Sequence, residues 1–160
     1  MQVGHFYFLK DIYYEEFNDS KLMKNHESIN GSLHDRPCYC CLKVLNDNIY
    51  WGIPISSQVT KYKEIYEKKV LRYGKCDTIV FGNVLGVEKA FLIQNMCPIT
   101  DKYIKNEYIN SGIPVVLDNV TSDLIQKKAT KVLTLLNHNV VNLIFPDVKA
   151  IENKLNSTDK

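Results

Sequence analysis

The chain has 160 residues, 45% of them hydrophobic, with a formal charge of +2; that is enough apolar material for one folded domain spanning residues 1–160, and it excludes an intrinsically disordered chain. A charge this small does not by itself imply a nucleic-acid partner, so any such reading has to come from local clustering. The 5 cysteines, with Cys38, Cys40 and Cys41 crowded together, are an odd number at spacings unsuited to a secreted disulfide framework; they point to a reducing cytoplasm and to small core hydrophobes.

In chain order, Val3 to Leu9 is aromatic and apolar and predicts a first strand. Its apolar run, Phe6 to Leu9, is too short to predict a signal peptide or a membrane span. Asp11 then caps a short helix carrying Ile12, Tyr13, Glu15, Glu16 and Phe17. The polar stretch from Asn18 to Asp35 predicts a long loop, and loops of that length in a compact domain are usually functional or mobile.

After Pro37, alternation from Cys38 to Leu45 predicts a strand with Cys38, Cys40, Leu42 and Val44 on one face. Asn46, Asp47 and Asn48 supply a turn, and Ile49, Trp51, Ile53 and Ile55 alternate in the next strand, giving a β-hairpin. Pro54 lacks the N–H that a ladder needs, which predicts that this strand ends at an edge or rim. Ser56 and Ser57 stand at its exit.

Beyond Thr60, the apolar positions Tyr62, Ile65, Tyr66, Val70 and Tyr73 recur at helical spacing, with Lys61, Lys68, Arg72 and Lys75 on a neighbouring face and Gly74 closing the segment. Between Gln58 and Lys75 six cations oppose two anions, a local balance of +4 in a chain totalling +2. Thr78 to Phe81 and Ala90 to Gln94 predict short strands joined through Gly82 and Gly86. Thr100 and Asp101 predict a helix start with Tyr103, Ile104 and Tyr108 facing inward.

Val115 to Leu117 predicts a small last strand. Thr121 or Ser122 then caps a long helix whose buried stripe is Leu124, Ile125, Val132, Leu135 and Leu136, with Lys127, Lys128 and Lys131 on the wet side. Pro146 and Asp147 start a terminal helix, and residues 156–160 are expected to fray. Strands early and helices late predict an α+β fold: a twisted antiparallel sheet, drawn as a partly closed barrel, with helices packed around it.

No P-loop or dinucleotide fingerprint is present. The four histidines are scattered, the cysteine run has no matching second pair, and no carboxylate cluster resembles a magnesium site, so neither cofactor nor metal is expected. What remains is His34 and Arg36 before one hairpin strand, and Ser56, Ser57, Thr60 and Lys61 after the other. In an antiparallel hairpin the start of the first strand lies beside the end of the second, so these groups should meet. Metal-free RNA cleavage needs a base for the 2′-hydroxyl, an acid for the leaving 5′-oxygen, and donors with fixed positive charge around the phosphorane. An imidazole, a guanidinium, paired hydroxyls and a lysine cover those needs, with His34 or a lysine of lowered pKa moving the protons.

An aromatic N-terminal strand and short helix, RPCYCCLKVL from Arg36 to Leu45, IPISSQ from Ile53 to Gln58, AFLIQNMCPIT from Ala90 to Thr100 and a long amphipathic helix together give a chain that resembles the type III toxin-antitoxin endoribonucleases. Within the ToxN/AbiQ group it is most similar to the CptN branch. The resemblance implies a MazF-like fold and metal-independent cleavage of A-rich RNA to 2′,3′-cyclic phosphate and 5′-hydroxyl ends. It implies a partner too: a small repeat RNA antitoxin folded as pseudoknots, which the toxin cuts into units and which inhibits it in a closed protein–RNA assembly serving phage defence by abortive infection.

The resemblance places the basic residue at the start of the hairpin on Arg36 and the paired hydroxyls on Ser56 and Ser57. ToxN-like members continue with a proline and a lysine; here Gln58, Val59 and Thr60 intervene, so the lysine is Lys61 or Lys63. The basic stripe of Lys68, Arg72 and Lys75, with Thr60 and Lys63, is then expected to follow the RNA backbone, with Tyr62, Tyr66 or Trp51 available for base stacking. Two other readings use the same residues: a non-catalytic RNA-binding module and a protein-interaction domain with no RNA role.

Overall fold

The computed structural model describes residues 1–44 and 48–158; the strand end at Leu45, the turn at Asn46 and Asp47 and the tip at Asp159 and Lys160 lie outside the described residues. The strands are β1 (Phe6–Leu9), β2 (His26–Ile29), β3 (Ser32–Asp35), β4 (Pro37–Lys43), β5 (Tyr50–Ser56), β6 (Ile79–Val84), β7 (Val87–Leu92), β8 (Cys97–Ile99), β9 (Ile104–Glu107), β10 (Ile109–Asn110) and β11 (Ile113–Pro114). The helices are α1 (Asp11–Glu16), α2 (Val59–Tyr73), α3 (Asn119–Asn137) and α4 (Val148–Thr158). A 7-stranded sheet runs β6-β7-β5-β4-β1-β9, with β8 also on β5. All of its pairings are antiparallel.

Alternation puts successive side chains of the central strands into two cores. Phe6, Tyr39, Trp51 and Ile53 pack with Ile125, Ala129, Val132 and Leu136 of α3. Tyr7, Cys38, Cys40 and Tyr50 pack on the other face with Tyr13 of α1 and Ile151 and Leu155 of α4. A sheet covered on both faces explains why β4 and β5 read as near-continuous apolar runs. All 5 cysteines are buried and free, as expected of small core hydrophobes. Among the described residues no helix is long and apolar enough to cross a membrane.

Several expectations are corrected. The sheet is open, with β6 and β9 at its two ends, rather than a partly closed barrel. Pro54 is not on an edge. β5 is central, and on the side away from β4 its partner changes from β8 at Tyr50–Gly52 to β7 at Ile55–Ser56. Pro54 stands in the gap between these partners, where its missing N–H is tolerated.

The expected loop from Asn18 to Asp35 contains the β2–β3 hairpin, turned by Asn30 (φ 51) and Gly31 (φ 80). Two successive positive φ angles are what a two-residue hairpin turn of this hand requires, and Asn-Gly is its strongest sequence signal. After Thr100 there is one 3-10 turn, Asp101–Tyr103, followed by β9 and not a helix; pairing of Ile104–Glu107 with β1 outweighs the local helix signal. Val116 makes one isolated bridge to His5 where a strand was expected. The α3 cap is Asp118, which accepts from the Thr121 N–H at 2.9 Å, and Leu124 is exposed, with Ala129 in the buried row. The β6–β7 hairpin turns at Leu85 (φ 50) and Gly86 (φ 80), leaving Gly82 inside β6.

Candidate active site

The β4–β5 register sets Cys38 opposite Pro54, so Arg36 lies beside the end of β5 as the hairpin argument requires. Its guanidinium donates from Nη1 to the Ile55 carbonyl at 2.6 Å and from Nε to the Lys24 carbonyl at 3.0 Å. It is buried, and Nη1 lies 3.6 Å from Oε2 of Glu27, which is also buried.

Glu27 comes from β2 and is the residue that ties the corner together. The Ser56 hydroxyl donates to its Oε1 at 3.0 Å, and the Ser57 N–H points at both carboxylate oxygens at 3.4 Å. Ser56 Oγ also accepts from the Gln58 N–H at 3.2 Å and is only 1% exposed, so its hydroxyl is committed inside the protein. Ser57 is half-buried and opens to the surface. Its Oγ accepts a hydrogen bond from Lys89 Nζ at 2.6 Å, brought there because Ser56 faces Ala90 where β5 meets β7.

Just beyond Ser57 begins α2, whose cap residue Gln58 makes no side-chain capping bond and whose first turn holds no acidic residue. The Val59 N–H donates to the Ser57 carbonyl at 2.9 Å, and the helix dipole adds positive potential at this end of α2. Ser57, Lys89, Glu27 and His34 line one cleft of roughly 670 Å³, walled on its apolar side by Phe8 and Tyr108, whose rings lie 5.2 Å apart. His34 is exposed on β3 directly opposite Glu27 in the hairpin register.

The base of that hairpin is held electrostatically. Lys105 donates to Asp35 at 2.6 Å, and His26 lies 3.0 Å from both Asp35 and Asp11. The Lys105 hydrogen bond holds the Asp35 carboxyl below its ordinary value, and the Asn25 side-chain amide does the same for Asp11.

The remaining expected residues do not converge on the cleft. Lys61 is exposed, with Nζ 5.5 Å above the ring of Tyr62, and Lys63 pairs with Glu88 at 2.7 Å. Lys68, Arg72 and Lys75 are exposed along α2 and its exit, and Thr60 is exposed in its first turn. Tyr62 is buried against Ile79, Ala90 and Leu92, burial pushes its hydroxyl pKa up, and Trp51 is likewise in the core; neither ring offers a stacking face. Glu27 and Lys89 are the residues that sequence reasoning missed. The Asn30-Gly31 signal could have found Glu27, since a two-residue turn fixes it opposite His34. Nothing local marks Lys89, which depends on a pairing between distant strands. Among the described residues no group of three or more His, Cys, Asp and Glu side chains is placed to hold a metal ion.

No family model matches the chain, and no curated protein does. The architecture is similar to the solved structure of AbiQ, a lactococcal anti-phage endoribonuclease belonging to the type III toxin-antitoxin system. The TM-score is 0.67, covering 99% of this chain and 100% of that chain, at 17% sequence identity. The two chains share a fold.

Proposed function

We propose that this protein is an endoribonuclease toxin of a type III toxin-antitoxin system, working in the cytoplasm. The observation that carries the reading is the Lys89–Ser57 contact at the start of α2, which opens onto a cleft of roughly 670 Å³. The shared fold with AbiQ supports it.

In this reading the scissile phosphate sits against the Ser57 hydroxyl, with Lys89 and the positive end of the α2 dipole opposite the negative charge that grows on its non-bridging oxygens. The substrate's own 2′-hydroxyl attacks phosphorus and the 5′-oxygen leaves, giving 2′,3′-cyclic phosphate and 5′-hydroxyl ends without a metal. His34, on the rim of the same cleft, transfers the proton. Ser56, Glu27 and Arg36 form the frame that aims Ser57, so Arg36 acts through position and Lys89 takes the part that the sequence assigned to Lys61 or Lys63. The substrate is A-rich cellular RNA. The partner is a pseudoknotted repeat RNA antitoxin that the enzyme processes and that holds it inactive in a closed protein–RNA complex.

The test is to incubate purified protein, stripped of RNA, with A-rich RNA in EDTA and to analyse the product ends. Cyclic phosphate and 5′-hydroxyl ends that vanish with Ser57→Ala are expected; intact RNA, or 5′-phosphate ends that need magnesium, overturn the mechanism. The commitment of Ser56 and Arg36 to internal partners favours a second reading, a non-catalytic RNA-binding module. Under it, expression without an RNA inhibitor is harmless and Ser57→Ala changes nothing but affinity.

A further inference from the structure

Lys69 occupies an unexpected place. The face of α2 packed on the sheet carries Tyr62, Ile65, Tyr66 and Val70, and Lys69 falls in that face at helical spacing, so a cation stands where an apolar side chain is expected. It is half-buried, and burial lowers its pKa. Its ammonium donates to Thr78 Oγ1 at 2.8 Å and to Gln94 Oε1 at 2.7 Å. Lys128 reaches the same segment from α3, donating to the Cys76 carbonyl at 2.6 Å, with its ammonium 6.0 Å from the Tyr66 ring.

All of these acceptors are neutral. Among the described residues neither lysine has a carboxylate within ion-pair distance, and the nearby acid, Asp77, is taken by Lys131 at 2.6 Å. Each ammonium carries three N–H donors; Lys69 spends two on Thr78 and Gln94 and also lies 5.9 Å from the Phe145 ring, while Lys128 spends one on the Cys76 carbonyl. Two half-buried cations bonded to one segment through neutral acceptors carry positive charge that no carboxylate balances, which is complementary to an anion with several acceptor oxygens. The exposed cations Arg72 and Lys75 next to this segment add to the field.

We infer that Lys69 and Lys128, which reach the Cys76–Thr78 segment from α2 and α3, form a second phosphate-binding site, separate from the Ser57–Lys89 corner. Lys69 lies ten residues beyond the start of α2, about 15 Å from that corner at the helical rise. That span matches two to three nucleotides of an extended strand, so the phosphate is one of an RNA backbone that also occupies the cleft. This choice of source rests on the proposed function; the phosphate chemistry does not.

The experiment is an amide-resolved NMR titration of the full chain, once with inorganic phosphate and once with a short RNA whose 2′-hydroxyls are blocked against cleavage. Shifts at Thr78 and Gln94 in both titrations, distinct from those at Ser57 and lost in Lys128→Gln, are expected. Lys69→Gln and Lys128→Gln should each weaken RNA binding about tenfold at low salt and reduce the salt slope by about 1. Shifts with phosphate but not with RNA keep the site and assign it to a free phosphate ligand. No shift at Thr78 and Gln94 in the wild-type protein with either probe overturns the site even if RNA is cleaved, whereas an uncleaved RNA leaves the phosphate titration intact as evidence. The wild-type titration decides the matter if Lys69→Gln does not fold.

Discussion

Lys89 Nζ donates to Ser57 Oγ at 2.6 Å, joining the second strand of one hairpin to the residue that leaves another. Under the proposed function this contact makes Lys89, and not a lysine of α2, the charge-stabilising group. Lys89→Gln is expected to lower the cleavage rate by about 10²- to 10³-fold, the usual cost of one lost donor to a developing oxyanion, with RNA affinity within about tenfold. Lys61→Gln should change the rate several-fold at most. Single-turnover cleavage of a defined RNA by the two variants checks the order; equal losses would place Lys61 in the site.

Glu27 sets the stability of the corner. Glu27→Ala leaves the buried Arg36 guanidinium without its carboxylate, a change that costs about 3 kcal/mol or more. Urea unfolding should show a lower midpoint at unchanged slope. The double variant Glu27→Ala, Arg36→Met should recover part of the loss because it removes the uncompensated charge. A single variant as stable as wild type would show that the carboxylate is not a frame for Ser57.

Gly82 is fixed by space and not by backbone angle. A Cβ there would come 2.6 Å from Thr121 Cγ2 and 3.3 Å from Phe91 Cε2, so Gly82→Ala should destabilise by about 1–3 kcal/mol through overpacking. Thr121→Ser removes the nearer methyl. Thermal denaturation of the single and double variants is expected to show that Thr121→Ser restores much of the loss, and strictly additive effects would contradict that contact.

Acid should loosen the β2–β3 hairpin first. Asp35 and Asp11 have folded-state values held below the ordinary 3.8. The stability they contribute is present above that value and is lost as the pH falls through their lower folded values. Melting temperature should therefore drop below about pH 4, and Asp35→Asn should be less stable at neutral pH with a shallower acid limb. Hydrogen exchange at Glu27 and His34 is expected to quicken before exchange in β4 and β5.

Much of the architecture was legible in order. The alternation of Cys38–Lys43 and Ile49–Ile55 gave the central hairpin, Gly74 gave the end of α2 with φ 73, and antiparallel geometry alone placed Arg36 beside the serines. The errors share a cause. Local rules put Pro54 at an edge or rim because they cannot see a strand that changes partner halfway, and they predict a helix start at Thr100 because pairing with β1 is nonlocal. Lys89 is invisible to local rules for the same reason. Asn30-Gly31 marks the hairpin of Glu27, but the surrounding polarity predicts a loop there.

Between the β4–β5 and β6–β7 hairpins the pairing passes through Ile55 opposite Phe91 and Ser56 opposite Ala90 alone. During synthesis Ser57 emerges 32 residues ahead of Lys89, and the hairpin that leads into it can form from residues already made. The corner cannot exist until the later hairpin docks at that short seam. Under the proposed function, a growing chain on the ribosome stays chemically mute until Lys89, past the midpoint of its 160 residues, has been made and docked there.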